Sequence, residues 1–237
     1  SSFQTPVSIM SECTITHLVS FYSALKDAHG LQHWWPSESR FETIIGAILA
    51  QSVSWTGAHK AVCALKDAGL LEPHLLFKAG PDTIAPLIRS SLYYNQKARK
   101  IMIFLSWFLD TCDGEISKMA SLPCLTVREE LLQLSGFGPE TVDSILLYAL
   151  EKPVFVADAY TRRIGSRQGW FSEDITYAGM QEFFMSRLPQ DIPLYNDFHA
   201  QIVYLGNRIC KKNPGCSSCP VRDHGIIQCR YAHNMNR

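Results

Sequence analysis

From Phe41 onward the apolar residues Phe41, Ile44, Ile45, Ile48 and Leu49 recur at i, i+3, i+4, i+7 and i+8. That spacing lays one stripe of an α-helix against a core. Similar spacing runs through residues 14–29, 54–67, 97–109, 127–134, 140–150, 177–188 and 197–210, and predicts a helix over each. Only residues 153–157 (PVFVA) read as a strand, and they are too few to found a sheet. The predicted fold class is therefore all-α. No long linker, low-complexity tract or fixed-period repeat divides the chain. Two places stand out from the helical pattern: the glycine-bearing turn of residues 134–138, and a tail rich in glycine, proline and cysteine from Cys210.

Composition changes this picture in three ways. With 237 residues and 46% hydrophobic content, the chain can build one large core or two modest ones without disulfide help. Its longest apolar runs, residues 44–50 and 145–150, are far short of the roughly 20 residues that cross a bilayer, so no membrane span is expected. The first ten residues, SSFQTPVSIM, lack the charged leader and apolar stretch of a signal peptide. Twenty-two basic and twenty-two acidic side chains cancel, so any surface for a polyanion must be local. Of eight cysteines, Cys13, Cys63, Cys112 and Cys124 are scattered and four crowd between 210 and 229. In a chain without a secretion signal, scattered thiols read as buried and reduced, and a tight cluster reads as a metal site.

In LSGFGPETVDSILLYAL, Gly136 and Gly138 form a tight turn and Pro139 takes the favoured first position of the next helix. Such a turn exposes backbone amides at a helix N-terminus, where an anion is favoured. It serves equally well as a plain αα-hairpin. Shortly downstream, VFVADAYTRRIG places Asp158 after a short apolar run and before Arg162 and Arg163; taken alone, such an aspartate is most often a helix N-cap.

Together the turn and the aspartate resemble the helix-hairpin-helix DNA glycosylases, and the resemblance extends through Gln51 and YYNQKA at 93–98 to nearly the whole chain from Trp34 onward. It implies two helical lobes with a DNA-binding cleft: a central barrel over residues 41–157 ending in the hairpin, and a second lobe joining residues 12–40 to 158–237. It implies that Gly136 and Gly138 grip DNA phosphate, that Asp158 is the catalytic carboxylate, and that Gln51 fills the gap left by an extruded base. Arg162 and Lys211 are candidate phosphate contacts, while Arg163 and Arg167 could serve the backbone or the core. The chemistry suits a carboxylate, because breaking an N-glycosidic bond puts positive charge on the sugar, and the base must first leave the stack to be reached. Relatives that also cut the strand carry a lysine where this chain has Glu140. The acid implies a monofunctional enzyme that leaves an abasic site.

The tail spaces its thiols as Cys210, five residues, Cys216, two residues, Cys219, nine residues, Cys229. On spacing alone, a structural zinc and an iron–sulfur cluster both fit four cysteines. The resemblance to endonuclease III-like members implies a [4Fe-4S] cluster, with zinc the alternative, although the first gap is one residue shorter and the last longer than their pattern. Beside them Lys211, Lys212 and Arg222 could meet phosphate. Trp34, Trp35 and Pro36, an aromatic at Trp55, and Glu140 resemble the base pocket of the 3-methyladenine glycosylase branch, and indole faces suit a cationic base. His199, on an apolar helix, reads as a satisfied buried histidine rather than a catalytic base. The expected partner is damaged double-stranded DNA, met by a monomer inside the cell, in the cytoplasm at the nucleoid if the source is bacterial. The alternatives are a glycosylase for uracil, mismatched thymine or another lesion, and a non-catalytic DNA-binding iron–sulfur protein.

Overall fold

A computed structural model describes residues 14–225 and 227–235 of the chain; the stretch read for a signal peptide lies outside them. These residues form helices throughout, joined by loops, with one two-residue antiparallel pair, β1 (Asp223–His224) and β2 (Ile227–Gln228). The all-α expectation holds. Among the described residues no helix is long and apolar enough to cross a membrane. Backbone contacts divide the chain into two compact units, Trp35–Pro153 and a second made of the residues up to Trp34 with those from Val154 onward.

The Trp35–Pro153 unit is built around α2 (Arg40–Leu49), started by the Ser39 side chain accepting from the Glu42 amide. The sequence predicts one apolar face here, but residues from Phe41 to Leu49 are all buried, because α3 (Trp55–Asp67), α5 (Tyr94–Cys112) and α8 (Pro139–Ser144) pack around it. Its last turn is closed from outside. Lys97, 2% exposed, donates from Nζ to the carbonyls of Leu49 (2.8 Å) and Ser91. A cation there suits the negative end of the α2 dipole.

Two further helices, α4 (Pro73–Leu87) and α6 (Ile116–Ser121), are absent from the periodicity reading. In α4 the pattern is broken by Pro81, Pro86 and Gly80, whose φ of 75° interrupts the helix. The segment α7 (Cys124–Gln133) leads through the glycine turn into α8, which relaxes into a π-helical turn over Ile145–Ala149. Arg128 on α7 clamps Asp143 on α8 with two hydrogen bonds of 2.7 and 3.0 Å, and Asp143 is 0% exposed.

The other unit joins α1 (Ile15–His29), α9 (Ala159–Gln168), α10 (Tyr177–Met185), α11 (Ile192–Arg208) and α12 (Arg230–Met235). Its core is aromatic: Phe155 stacks on Phe184 at 4.1 Å, and Phe21 meets Trp170 edge-on at 4.7 Å. The predicted strand at 153–157 is instead irregular chain. Its apolar run reflects burial among these rings, and the Phe155 carbonyl accepts from the Gln181 side chain at 2.8 Å rather than from a neighbouring strand. Helices α9 and α11 approach closely where Gly206 faces the Tyr160 ring; a Cβ there would fall 2.5 Å from Tyr160 Cδ1. The buried Asp197 is fully engaged, accepting from Tyr22 Oη (2.9 Å), the Gln32 amide (2.8 Å) and Gln201 Nε2 (3.3 Å).

Candidate active site

The hairpin turn has the geometry its glycines predict. Gly136 adopts φ 86°, the left-handed region that favours glycine. Gly138 is the N-cap of α8, no side chain caps that first turn, and open space lies where its Cβ would be. The Phe137 amide is bonded to the Leu134 carbonyl (3.1 Å), and the start of α8, free of a side-chain cap, is where an anion is favoured. Glu140 is exposed in the first turn, where its charge complements the helix dipole.

Gln51 is held against this turn. Its Nε2 donates to Thr141 Oγ1 (2.9 Å) and the Gly136 carbonyl (3.3 Å), while its Oε1 accepts from Lys100 Nζ. Sequence reasoning did not single out Lys100; the i, i+3 pair of lysines at 97 and 100 was the available signal. The first seals α2 and the second reaches Gln51.

In the same unit Trp35 and Trp55 meet edge-on at 4.9 Å, and Tyr148 closes on Trp35 at 5.6 Å. All three rings are half-buried. The Trp35 indole lies on Gly46, where a Cβ would come within 3.0 Å of Cζ2. His59, one helical turn after Trp55, stacks on it at 5.7 Å. Pro36 is exposed and Trp34, half-buried, belongs to the other unit. Tyr148 escaped the sequence reading because it stands inside the apolar run LLYAL; the π turn carries it to a half-buried position among buried neighbours.

In the other unit Asp158 is the N-cap of α9, and its side chain is 10% exposed. Oδ1 accepts from the Thr161 amide (2.7 Å) and the Thr161 hydroxyl (2.9 Å). Oδ2 lies 3.6 Å from His199 Nε2 on α11. Burial pushes the Asp158 carboxyl upward, but His199 and the two Thr161 donors outweigh it and hold the group below the usual carboxylate range. His199 is buried, as expected, with a second property the sequence did not reveal: it faces the carboxylate.

The next turns of α9 hold the cysteine tail. Arg163 donates to the carbonyls of Cys210 (2.8 Å) and Gly206 (2.9 Å). Arg167 donates to Lys211 O (2.7 Å), Lys212 O (3.1 Å) and Cys210 Sγ (3.2 Å). Arg162 instead binds the carbonyls of Glu173 (3.3 Å) and Ile175, and Lys211 is exposed. Cys210, Cys216, Cys219 and Cys229 line one cavity of about 20 Å³ with Ile164, Leu205 and Ile209. Burial, reinforced by the other thiols, pushes Cys219 up to about 11 and Cys229 upward. Four thiols crowded in apolar surroundings suit a positively charged centre, which binds thiolates and relieves their mutual repulsion. Among the described residues no three His, Cys, Asp or Glu side chains group closely enough to hold a single metal ion.

Comparison with known proteins identifies the family. Residues 45–190 match the HhH-GPD superfamily base excision DNA repair protein family. A Methanocaldococcus jannaschii protein designated a DNA repair glycosylase is 38% identical over 90% of this chain and 98% of its own. Endonuclease III of Thermotoga maritima is 30% identical over 78% of this chain and 81% of its own. The crystal structure of a Helicobacter pylori 3-methyladenine DNA glycosylase bound to 1,N6-ethenoadenine superposes with a TM-score of 0.70 at 27% identity, covering 80% of this chain and 97% of that one. The chain belongs to the HhH-GPD superfamily and is a DNA glycosylase of base excision repair.

Proposed function

We propose that this glycosylase is monofunctional and removes an alkylated purine, 3-methyladenine foremost, leaving an abasic site. The observation that carries the substrate class is the group of half-buried rings formed by Trp35, Trp55 and Tyr148. An N3-methylated purine in DNA is cationic, and each ring face that meets it contributes about 0.5–2 kcal/mol. The likeness to a 3-methyladenine glycosylase supports the same class.

Such a base departs as a good leaving group, taking the electrons of the glycosidic bond and losing its positive charge, so a strong general acid is not required. Asp158, held ionised, stabilises the positive charge that develops on the sugar and orients the attacking water through Oδ2, since Oδ1 is committed to the cap. Gly136 and Gly138 receive phosphate at the turn, Gln51 occupies the space of the extruded base, Pro36 and Glu140 serve the base pocket with Trp35 and Trp55, and Lys211 adds a cation for the backbone, whereas Arg162 is engaged with the Glu173 and Ile175 carbonyls. With Glu140 in place of a lysine, the Schiff-base step lacks its amine.

Cys210, Cys216, Cys219 and Cys229 would hold a [4Fe-4S] cluster, whose irons each take one thiolate around a body wider than a single ion. Bound, it would tie the tail into a fixed loop beneath Lys211. The likeness to endonuclease III, rather than the cavity itself, favours the cluster over zinc.

Duplexes each bearing one lesion test the reading, with released base identified by chromatography and borohydride present in parallel. Release of 3-methyladenine without a trapped adduct is expected. A covalent adduct would overturn the monofunctional assignment and favour the lyase chemistry of the endonuclease III relatives; preference for uracil or mismatched thymine would overturn the substrate class.

A further inference from the structure

His199 is a buried titratable group with no role in the scheme above, yet it lies against the carboxylate on which that scheme depends. The two oxygens of Asp158 have different surroundings. Oδ1 is fixed by both donors of Thr161. Oδ2, the oxygen left for chemistry, has His199 Nε2 at 3.6 Å, and the two side chains are 8% and 10% exposed. The histidine is delivered by α11, whose neighbouring residues Phe198, Ala200, Gln201 and Ile202 are buried and fix the helix in place. Close packing at Gly206 and the Arg163 bond to the Gly206 carbonyl hold α11 to α9. The separation of the two groups is therefore set by rigid elements rather than by loops.

We propose that His199 is a positioning residue for Asp158: its Nε2–H is directed at Oδ2 and keeps that oxygen anionic and aimed in a site too dry to ionise a carboxyl unaided. The inference rests on the assignment of Asp158 as the reacting carboxylate. The 3.6 Å separation is longer than a tight hydrogen bond and shortens when DNA excludes the remaining water. His199 is the titratable neighbour that acts on the Asp158 carboxyl, so its removal should be read directly at that group.

Two variants separate positioning from packing. His199→Phe fills the space without a donor, and His199→Gln places an amide donor near the position of Nε2. With a duplex that the wild type processes, His199→Phe should lower the single-turnover rate about 10- to 100-fold with DNA affinity unchanged, and His199→Gln should recover most of that loss. Independently of activity, carbon NMR of aspartate-labelled protein should show the Asp158 carboxyl titrating at higher pH in His199→Phe than in the wild type. An unmoved Asp158 titration would overturn the proposal, as would equal rates for wild type and His199→Phe while Asp158→Asn is inactive. Failure of Asp158→Asn to lower the rate would instead remove the functional reading beneath it, and the NMR comparison would still decide whether the two groups are coupled.

Discussion

Removal of Arg128 should destabilise the hairpin far more than removal of its partner. Asp143 is fully buried, whereas the Arg128 side chain keeps 26% of its surface in solvent. Arg128→Met therefore leaves a carboxylate with no route to water, for which the expected cost is about 3–5 kcal/mol. In Asp143→Leu the surviving guanidinium can turn outward, and the loss should stay near 1.5–2 kcal/mol, about the lower end for a hydrogen bond to a charged group. The double variant Arg128→Met/Asp143→Leu replaces a buried ion pair by apolar contact and should regain most of the stability. In a chain of this size each kcal/mol moves the midpoint by about 2–4 °C, so thermal unfolding followed by circular dichroism should separate the single variants by roughly 5–10 °C. The asymmetry is the test: if Arg128→Met loses no more than Asp143→Leu, burial of Asp143 does not govern the clamp.

Burial and nearby Lys100 lower Lys97 to about 8 from 10.5, so between those pH values the unfolded chain binds more protons and stability should rise with pH. Urea midpoints at pH 8 and 9.5 should show the wild type gaining about 1–2 kcal/mol more than Lys97→Met; parallel behaviour would contradict the lowered value. Gly136→Ala introduces a Cβ at φ 86° and 2.5 Å from Lys100 Cε, which should cost about 1 kcal/mol in stability. By displacing Lys100 from Gln51 it should weaken DNA binding more than folding, as fluorescence anisotropy beside a melting curve would show. Fresh protein should be brown with broad visible absorbance, and Cys219→Ser should remove it; a colourless wild type with stoichiometric zinc would reverse the cofactor assignment.

Much of this was legible in the sequence because helices that bury one stripe announce their period. Helices α3, α5 and α11 did so, α2 kept the period although packing buries it from Phe41 to Leu49, and α9 followed from its place after Asp158. The period fails where the chain is irregular or broken. PVFVA looked like a strand because irregular chain buried among aromatic rings needs the same apolar residues, and α4 was hidden by the prolines and glycine that interrupt it. At the site, Asp158, Gln51 and the cysteines stand in recognisable local patterns. His199 lies 41 positions after Asp158, Lys100 lies 49 positions after Gln51, and Tyr148 is far from Trp35 in the chain. Their roles arise from which helices pack together, and that information is spread over the entire core.

The capping role of Asp158 has a consequence for what residue can stand there. A helix start favours a short side chain able to fold back on the third amide, such as aspartate, asparagine, serine or threonine, although the longer Glu72 caps α4 in this chain. The short carboxylate arm of Asp158 suits the start of α9, where Oδ1 is taken by both donors of Thr161. Among those short caps aspartate alone is charged, so asparagine preserves the helix while erasing the charge. An asparagine cap at this position is therefore expected to leave the fold and DNA binding intact while removing the activity proposed for Asp158.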